Sequence, residues 1–156
     1  MSQVTINGTT YTNPEQGTTP PWGDDLHDLI EAIVTSLNSV VGSADILLTN
    51  FNIANNQAVA ANVVGASFDT SQVRSAIISY SISRSTSSSE LVECGQIYIN
   101  YKNSTGTWDL AQNYGGSSGV TFTITNGGQL QYVSSNMSGT SYVGKMKFSA
   151  KSFLQT

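Results

Sequence analysis

From Ser43 to the C-terminus the chain is a succession of segments in which apolar and polar residues alternate, broken by turn residues and never by a helix-period stretch. A period of two puts successive side chains on opposite faces of a strand. Ala76, Ile78, Tyr80 and Ile82 share one face, with Ser75, Ser79, Ser81 and Ser83 on the other. Val120, Phe122 and Ile124 alternate with threonines, and Met146, Phe148 and Ala150 oppose Lys145, Lys147 and Lys151. The pattern predicts strands over 46–54, 58–64, 74–84, 91–102, 107–114, 120–125, 129–134 and 142–153. Between them stand Asn103-Ser104-Thr105-Gly106, Gly115-Gly116 with Gly119, and Asn126-Gly127-Gly128, and 85–89 is a serine-rich loop tip. About eight strands with turns roughly every ten residues indicate an antiparallel β-sandwich or jelly-roll-like domain over 43–156. A parallel α/β fold is excluded, because no helix alternates with these strands.

One stretch has the other period. In Asp24 to Val41 the apolar residues Leu26, Ile30, Ile33, Leu37 and Val40 are spaced four, three, four, three. That is a heptad seam, with Ile30 and Leu37 at a and the others at d. Asp24 is a fitting N-cap, Asp25 and Asp28 fall in the first turn, and Gly42 stands where a helix stops. Isoleucine at both a and d disfavours two strands and favours three or four. The stripe has two available burials, against other copies or against the chain's own β domain. Its place before the first long strand favours a trimerising stem over 24–42. So short a seam needs the β domains to associate as well.

The first 23 residues read as an arm. Val4, Ile6 and Tyr11 flank Asn7-Gly8, the two-residue signal of a type I′ hairpin. A lone hairpin is marginal in water, so it must lean on something, and Val4, Ile6, Tyr11 and Trp22 are the docking candidates. Trp22 suits either a partner surface or local packing within the arm. Pro20 and Pro21 stiffen the link to the helix.

Charged residues make up only 10% of the chain, and the formal net charge is −4. The six basic residues form no stripe that could follow a phosphate backbone, so nucleic-acid binding is not expected. No run approaches the length of a membrane span. The N-terminus lacks a basic region followed by an apolar run, so cytoplasmic synthesis is expected. The single cysteine, Cys94, forms no intrachain disulfide and is expected as a small buried residue.

Chemistry-bearing constellations are sparse. His27, the one histidine, rules out a His-clustered metal site and makes a serine-type triad a poor fit. Asp69, Glu90, Glu93 and Asp109 would need placing across a cleft for glycoside hydrolysis. The 115–119 glycines lack the Lys-Ser/Thr of a phosphate loop. No enzyme, cofactor or metal is expected. Tyr98, Tyr101, Trp108 and Tyr114 are aromatic enough to stack on sugars, though in a sandwich such residues are more often core or cross-strand pairs.

The opening VTINGTTYTNPEQGTTPPWGDDLHDLIEAI resembles N-terminal segments of small virion proteins of tailed bacteriophages. The segments VRSAIISYSISRS, GVTFTITNGGQLQY and GTSYVGKMKF resemble a β domain of phage decoration proteins and tail-fibre-like appendages. The resemblance implies a homotrimer on the virion, made in the host cytoplasm, attached by its N-terminal part with the β part outermost. The short chain and the missing repetitive shaft favour a capsid decoration (cement) protein on the major capsid protein. The alternative is a tail-fibre or head-fibre tip that binds a receptor or glycan.

Overall fold

The computed structural model describes residues 3–6, 9–12, 30–31, 33–34 and 44–155. The chain divides into two units, Met1–Ser43 and Ala44–Thr156. In the first, β1 (Gln3–Ile6) and β2 (Thr9–Thr12) pair antiparallel with Ile6 opposite Thr9 and Val4 opposite Tyr11. Ile30, Glu31, Ile33 and Val34 are helical, and Ile33 is 49% exposed. Leu26, Leu37 and Val40 of the expected seam, and Trp22 of the arm, lie outside the described residues.

The second unit is mainly β. Its strands are β3 (Ile46–Asn52), β4 (Ala61–Ser67), β5 (Val73–Ser85), β6 (Glu90–Lys102), β7 (Thr107–Gly116), β8 (Val120–Ile124), β9 (Gln129–Ser134) and β10 (Val143–Leu154). They form two antiparallel sheets, one in the order β3-β10-β5-β6-β7 and the other β4-β9-β8. Edge strand β3 meets edge strand β4, and β7 meets β8, so the sheets are joined along both lateral sides. The core between them follows the alternation. Ala76, Ile78, Tyr80 and Ile82 of β5, Ile97 and Ile99 of β6, and Met146, Phe148 and Ala150 of β10 meet Val63, Phe122, Leu130 and Tyr132 of the smaller sheet.

The alternation continues past Ile82 to a charged residue. Arg84 is the next inward position of β5, and it is fully buried. Cys94 corrects the expectation made for it: it is exposed. It pairs with Ser81 on the outer face of β6, whereas its neighbour Glu93 points inward and is buried. One step along a strand changes the face, so the residue beside an inward position cannot share its environment.

The largest boundary shift is at β4, which starts at Ala61 rather than 58 and runs on to Ser67. Asn62 pairs with Gln131 and Ser67 with Gln129, so the strand bulges between them. Gly65 carries the bend at φ 88°, a conformation that costs glycine little. The Gln129 side-chain amide donates to the Val63 and Ala66 carbonyls at 3.0 and 3.1 Å. It supplies partners where the irregular ladder cannot. A second bulge lies in β3, where Thr49 faces Phe148 but Ile46 faces Ala150.

Candidate functional site

The largest buried polar group of the β domain is centred on Arg84, at one end of the sandwich. Five acceptors surround its guanidinium. Nε donates to Tyr142 Oη at 3.0 Å. Nη1 donates to the Ser118 carbonyl at 2.6 Å and to Ser135 Oγ at 3.3 Å. Nη2 donates to the Ser135 carbonyl at 2.5 Å and to Asn55 Oδ1 at 3.3 Å. An arginine has five N–H donors, and each has an acceptor here.

Ser118 links this cation to a buried anion. Its N–H and hydroxyl both donate to Glu93 Oε2 at 2.9 Å, while its carbonyl accepts from Arg84. Glu93 Oε1 accepts from Tyr80 Oη at 2.7 Å, and Gln112 Nε2 donates to the same phenol at 3.3 Å. The cation and the anion therefore grip opposite sides of one residue, fixing the loop between β7 and β8. Closed hydrogen bonding of this kind holds a conformation, because a partly satisfied network would be more costly than an apolar core.

Burial, then the hydrogen bond to Glu93, push the Tyr80 phenol well above its ordinary 10.0. The linkage has a definite sign. Above about pH 10 the unfolded chain releases this proton while the folded chain keeps it. The stabilisation is complete below pH 10 and is lost as the pH climbs beyond it. Relative to wild type, Tyr80→Phe is expected to flatten the alkaline fall by up to about 1.4 kcal/mol per pH unit, read from urea midpoints between pH 8 and 11. Parallel pH profiles would show that Tyr80 does not carry the effect.

Two surface features stand apart from this centre. A cleft of about 420 Å³ is lined by Arg74, Lys102, Asn103, Ser104 and Gln155. Gln155 braces it, accepting from Asn103 Nδ2 at 3.0 Å and donating to the Thr70 carbonyl at 2.6 Å. Lys102 is paired with Asp109 at 2.6 Å. The second feature is the lateral side formed by β3 and β4, where Leu47, Leu48, Val59 and Val64 are exposed.

The aromatic residues read as sugar-stacking candidates do not share a platform. Trp108 is buried, with Tyr101 against it at a centroid distance of 5.0 Å. Its Nε1 is buried without an acceptor among the described residues. Tyr98 lies on the outer face of β6, bonded to Gln96 Oε1 at 2.6 Å. Tyr114 is 56% exposed on β7. It pairs with Gly95, in the opposite phase of the sheet from Tyr98. The carboxylates also separate: Glu93 is buried inside, Asp109 pairs with Lys102, and Glu90 and Asp69 are exposed. Among the described residues no group of three or more His, Cys, Asp or Glu is placed to hold a metal ion. The arm's Val4, Ile6 and Tyr11 lie on β1 and β2.

No protein-family model matches the chain, and no curated protein matches it. Among solved structures it is similar to the tailspike protein of Acinetobacter phage vB_ApiP_P1, with a TM-score of 0.46 and 10% identity. The match covers 70% of this chain and 22% of the tailspike, so the chain spans about a fifth of that protein's length. So distant a likeness assigns neither family nor role.

Proposed function

We propose that the chain is a structural virion protein of a tailed bacteriophage, which binds the outer surface of the capsid as a homotrimer and stabilises the shell. The observation that carries the structural role is the β domain's build. It is a sandwich whose buried charges hold a loop, and whose four most exposed large apolar side chains, Leu47, Leu48, Val59 and Val64, lie on β3, on β4 or in the segment between them. Such a domain offers a rigid surface for contact. The virion setting and the capsid partner rest on the resemblance of the arm and strand segments to phage proteins.

Stabilisation follows from linkage. A protein that binds the assembled shell and not its separated subunits adds its binding free energy to the shell alone. Three arms on one trimer raise avidity without strong single contacts. The test is to heat virions with and without the protein and follow genome release. Shells lacking it are expected to open at lower temperature, and equal release temperatures would sink the cement role. A fibre-tip role is favoured by one observation, the cleft that holds the exposed Arg74, whose cation suits an acidic glycan, with Lys102 at the same cleft paired to Asp109.

A further inference from the structure

The cleft lined by Arg74, Lys102, Asn103, Ser104 and Gln155 is braced by the last of these. Gln155 follows β10 and ties two turns together. Its N–H donates to the Gln72 carbonyl at 2.7 Å, and its side-chain amide donates to the Thr70 carbonyl at 2.6 Å, both on the turn before β5. Its Oε1 accepts from Asn103 Nδ2 at 3.0 Å, on the turn after β6. Each turn is also closed on itself: the Val73 N–H donates to the Asp69 carbonyl at 2.8 Å, and the Gly106 N–H to the Lys102 carbonyl at 2.8 Å. The walls are therefore fixed before a ligand arrives, which lowers the ordering cost of binding.

The groups these walls leave unspent select a ligand. Arg74 is exposed, and its guanidinium has no ion-pair or hydrogen-bond partner among the described residues. The Ser104 hydroxyl and Asn103 Oδ1 are likewise without partners among the described residues. Lys102 is compensated by Asp109 at 2.6 Å, so the cleft offers one uncompensated cation with a carboxylate near by. That balance suits a monoanion better than a phosphate dianion, which the carboxylate would repel. A guanidinium presents paired N–H donors in one plane, a match for the two oxygens of a carboxylate. The hydroxyl and the amide oxygen suit ligand hydroxyls.

Apolar surface adjoins the cation. On the neighbouring strand β10, Leu154 pairs with Val73 and Phe153 with Ser75, the residues on either side of Arg74. Both are 50% exposed. A carboxylate, hydroxyls and an apolar face together describe a carboxylated sugar ring. The cleft's volume of about 420 Å³ lies toward the lower end of the roughly 300–1,000 Å³ that small-ligand sites occupy. We propose that this cleft binds a sugar of the uronic-acid class, its carboxylate on the Arg74 guanidinium and its ring hydroxyls on Asn103 and Ser104. The inference rests on the fibre-tip alternative above and deepens it by naming the recognised group; it does not depend on the cement role.

The test is ligand-observed saturation-transfer NMR on the full-length chain, with sodium glucuronate, glucose and acetate as probes and inorganic phosphate as competitor at constant ionic strength. Glucuronate is expected to bind with a Kd of about 1 mM, the scale for a single sugar on an open site. Glucose, which lacks the carboxylate, and acetate, which lacks the ring, should each bind about tenfold more weakly or worse. Arg74→Met should bring glucuronate down to the level of glucose and leave glucose unchanged. Its fold is secure because Arg74 is exposed. No binding of glucuronate, equal binding of glucuronate and glucose or of glucuronate and acetate, phosphate competing as well as glucuronate, or an unaffected Arg74→Met variant would each overturn the proposal. Adsorption of virions to host cells in the presence of excess free protein tests the fibre-tip role separately. Unimpeded adsorption alongside Arg74-dependent glucuronate binding removes the role and leaves the site; blocked adsorption without glucuronate binding removes the site alone.

Discussion

Arg84→Met is expected to cost the β domain about 3–5 kcal/mol, the loss that follows when one member of a buried ionic group is removed. Methionine fills much of the same volume, so little of the effect is packing. What is lost is the supply of donors to Tyr142 Oη, Asn55 Oδ1, Ser135 Oγ and the Ser118 and Ser135 carbonyls. Ser118 is then held from the Glu93 side alone. A domain of this size has about 5–15 kcal/mol in total, so the variant sits close to unfolding at ordinary temperature. Arg74→Met is the control. Arg74 is exposed, and its replacement should change stability by no more than about 0.5 kcal/mol. Urea midpoints at unchanged m-value decide between them. Equal midpoints for the two variants would show that the buried network contributes nothing. Adding Glu93→Gln to Arg84→Met should cost less than the two changes summed, because both loosen the same residue, Ser118.

The same network shows where the sequence could be read and where it could not. The β domain was legible because a period of two is a local property. The serines of β5 lie on the outer face, its apolar residues lie inside, and the lysines of β10 point outward, as the alternation requires. Arg84 carried a usable signal, being the next inward position after Ile82, but composition argues against burying a charge, and its acceptors come from residues 29 to 58 positions away. Glu93 was weighed only as one of four carboxylates that a cleft would need, and its burial was not foreseen for the same reason, while its neighbour Cys94 was expected inside because cysteine usually is. The phase of β6 decides between them, and it is set by Ile97 and Ile99, both buried. The bulges were not legible. Nothing in the run from Ala58 to Val64 shows that Gly65 bends the edge strand or that the Gln129 amide fills the gap. Both bulges depend on pairing between distant segments, which no local pattern records.

Phe148→Ala tests that phase at the centre of the larger sheet. Phe148 is fully buried on β10, opposite Thr49 of β3 and Tyr80 of β5. Its ring reaches across the sandwich toward β4, where the Cζ atom would lie 3.8 Å from a Cβ placed on Gly65. Strands on both sides hold β10 in register, so the site has little freedom to collapse around a smaller side chain. The expected loss is about 3–5 kcal/mol, the range for a buried phenylalanine truncated to alanine. Phe148→Leu keeps most of the volume and should cost less than about 1.5 kcal/mol. Phe153 lies on the same strand in the other phase and is 50% exposed. Phe153→Ala should cost about 1 kcal/mol or less, because little apolar surface is withdrawn from burial. A one-residue slip of β10 would exchange the two faces and make Phe153 the costly position. Urea unfolding of the three variants therefore reads the register directly: a larger loss at Phe153 than at Phe148 would overturn the assignment of inward and outward faces on which both the core and the exposed β3/β4 side depend.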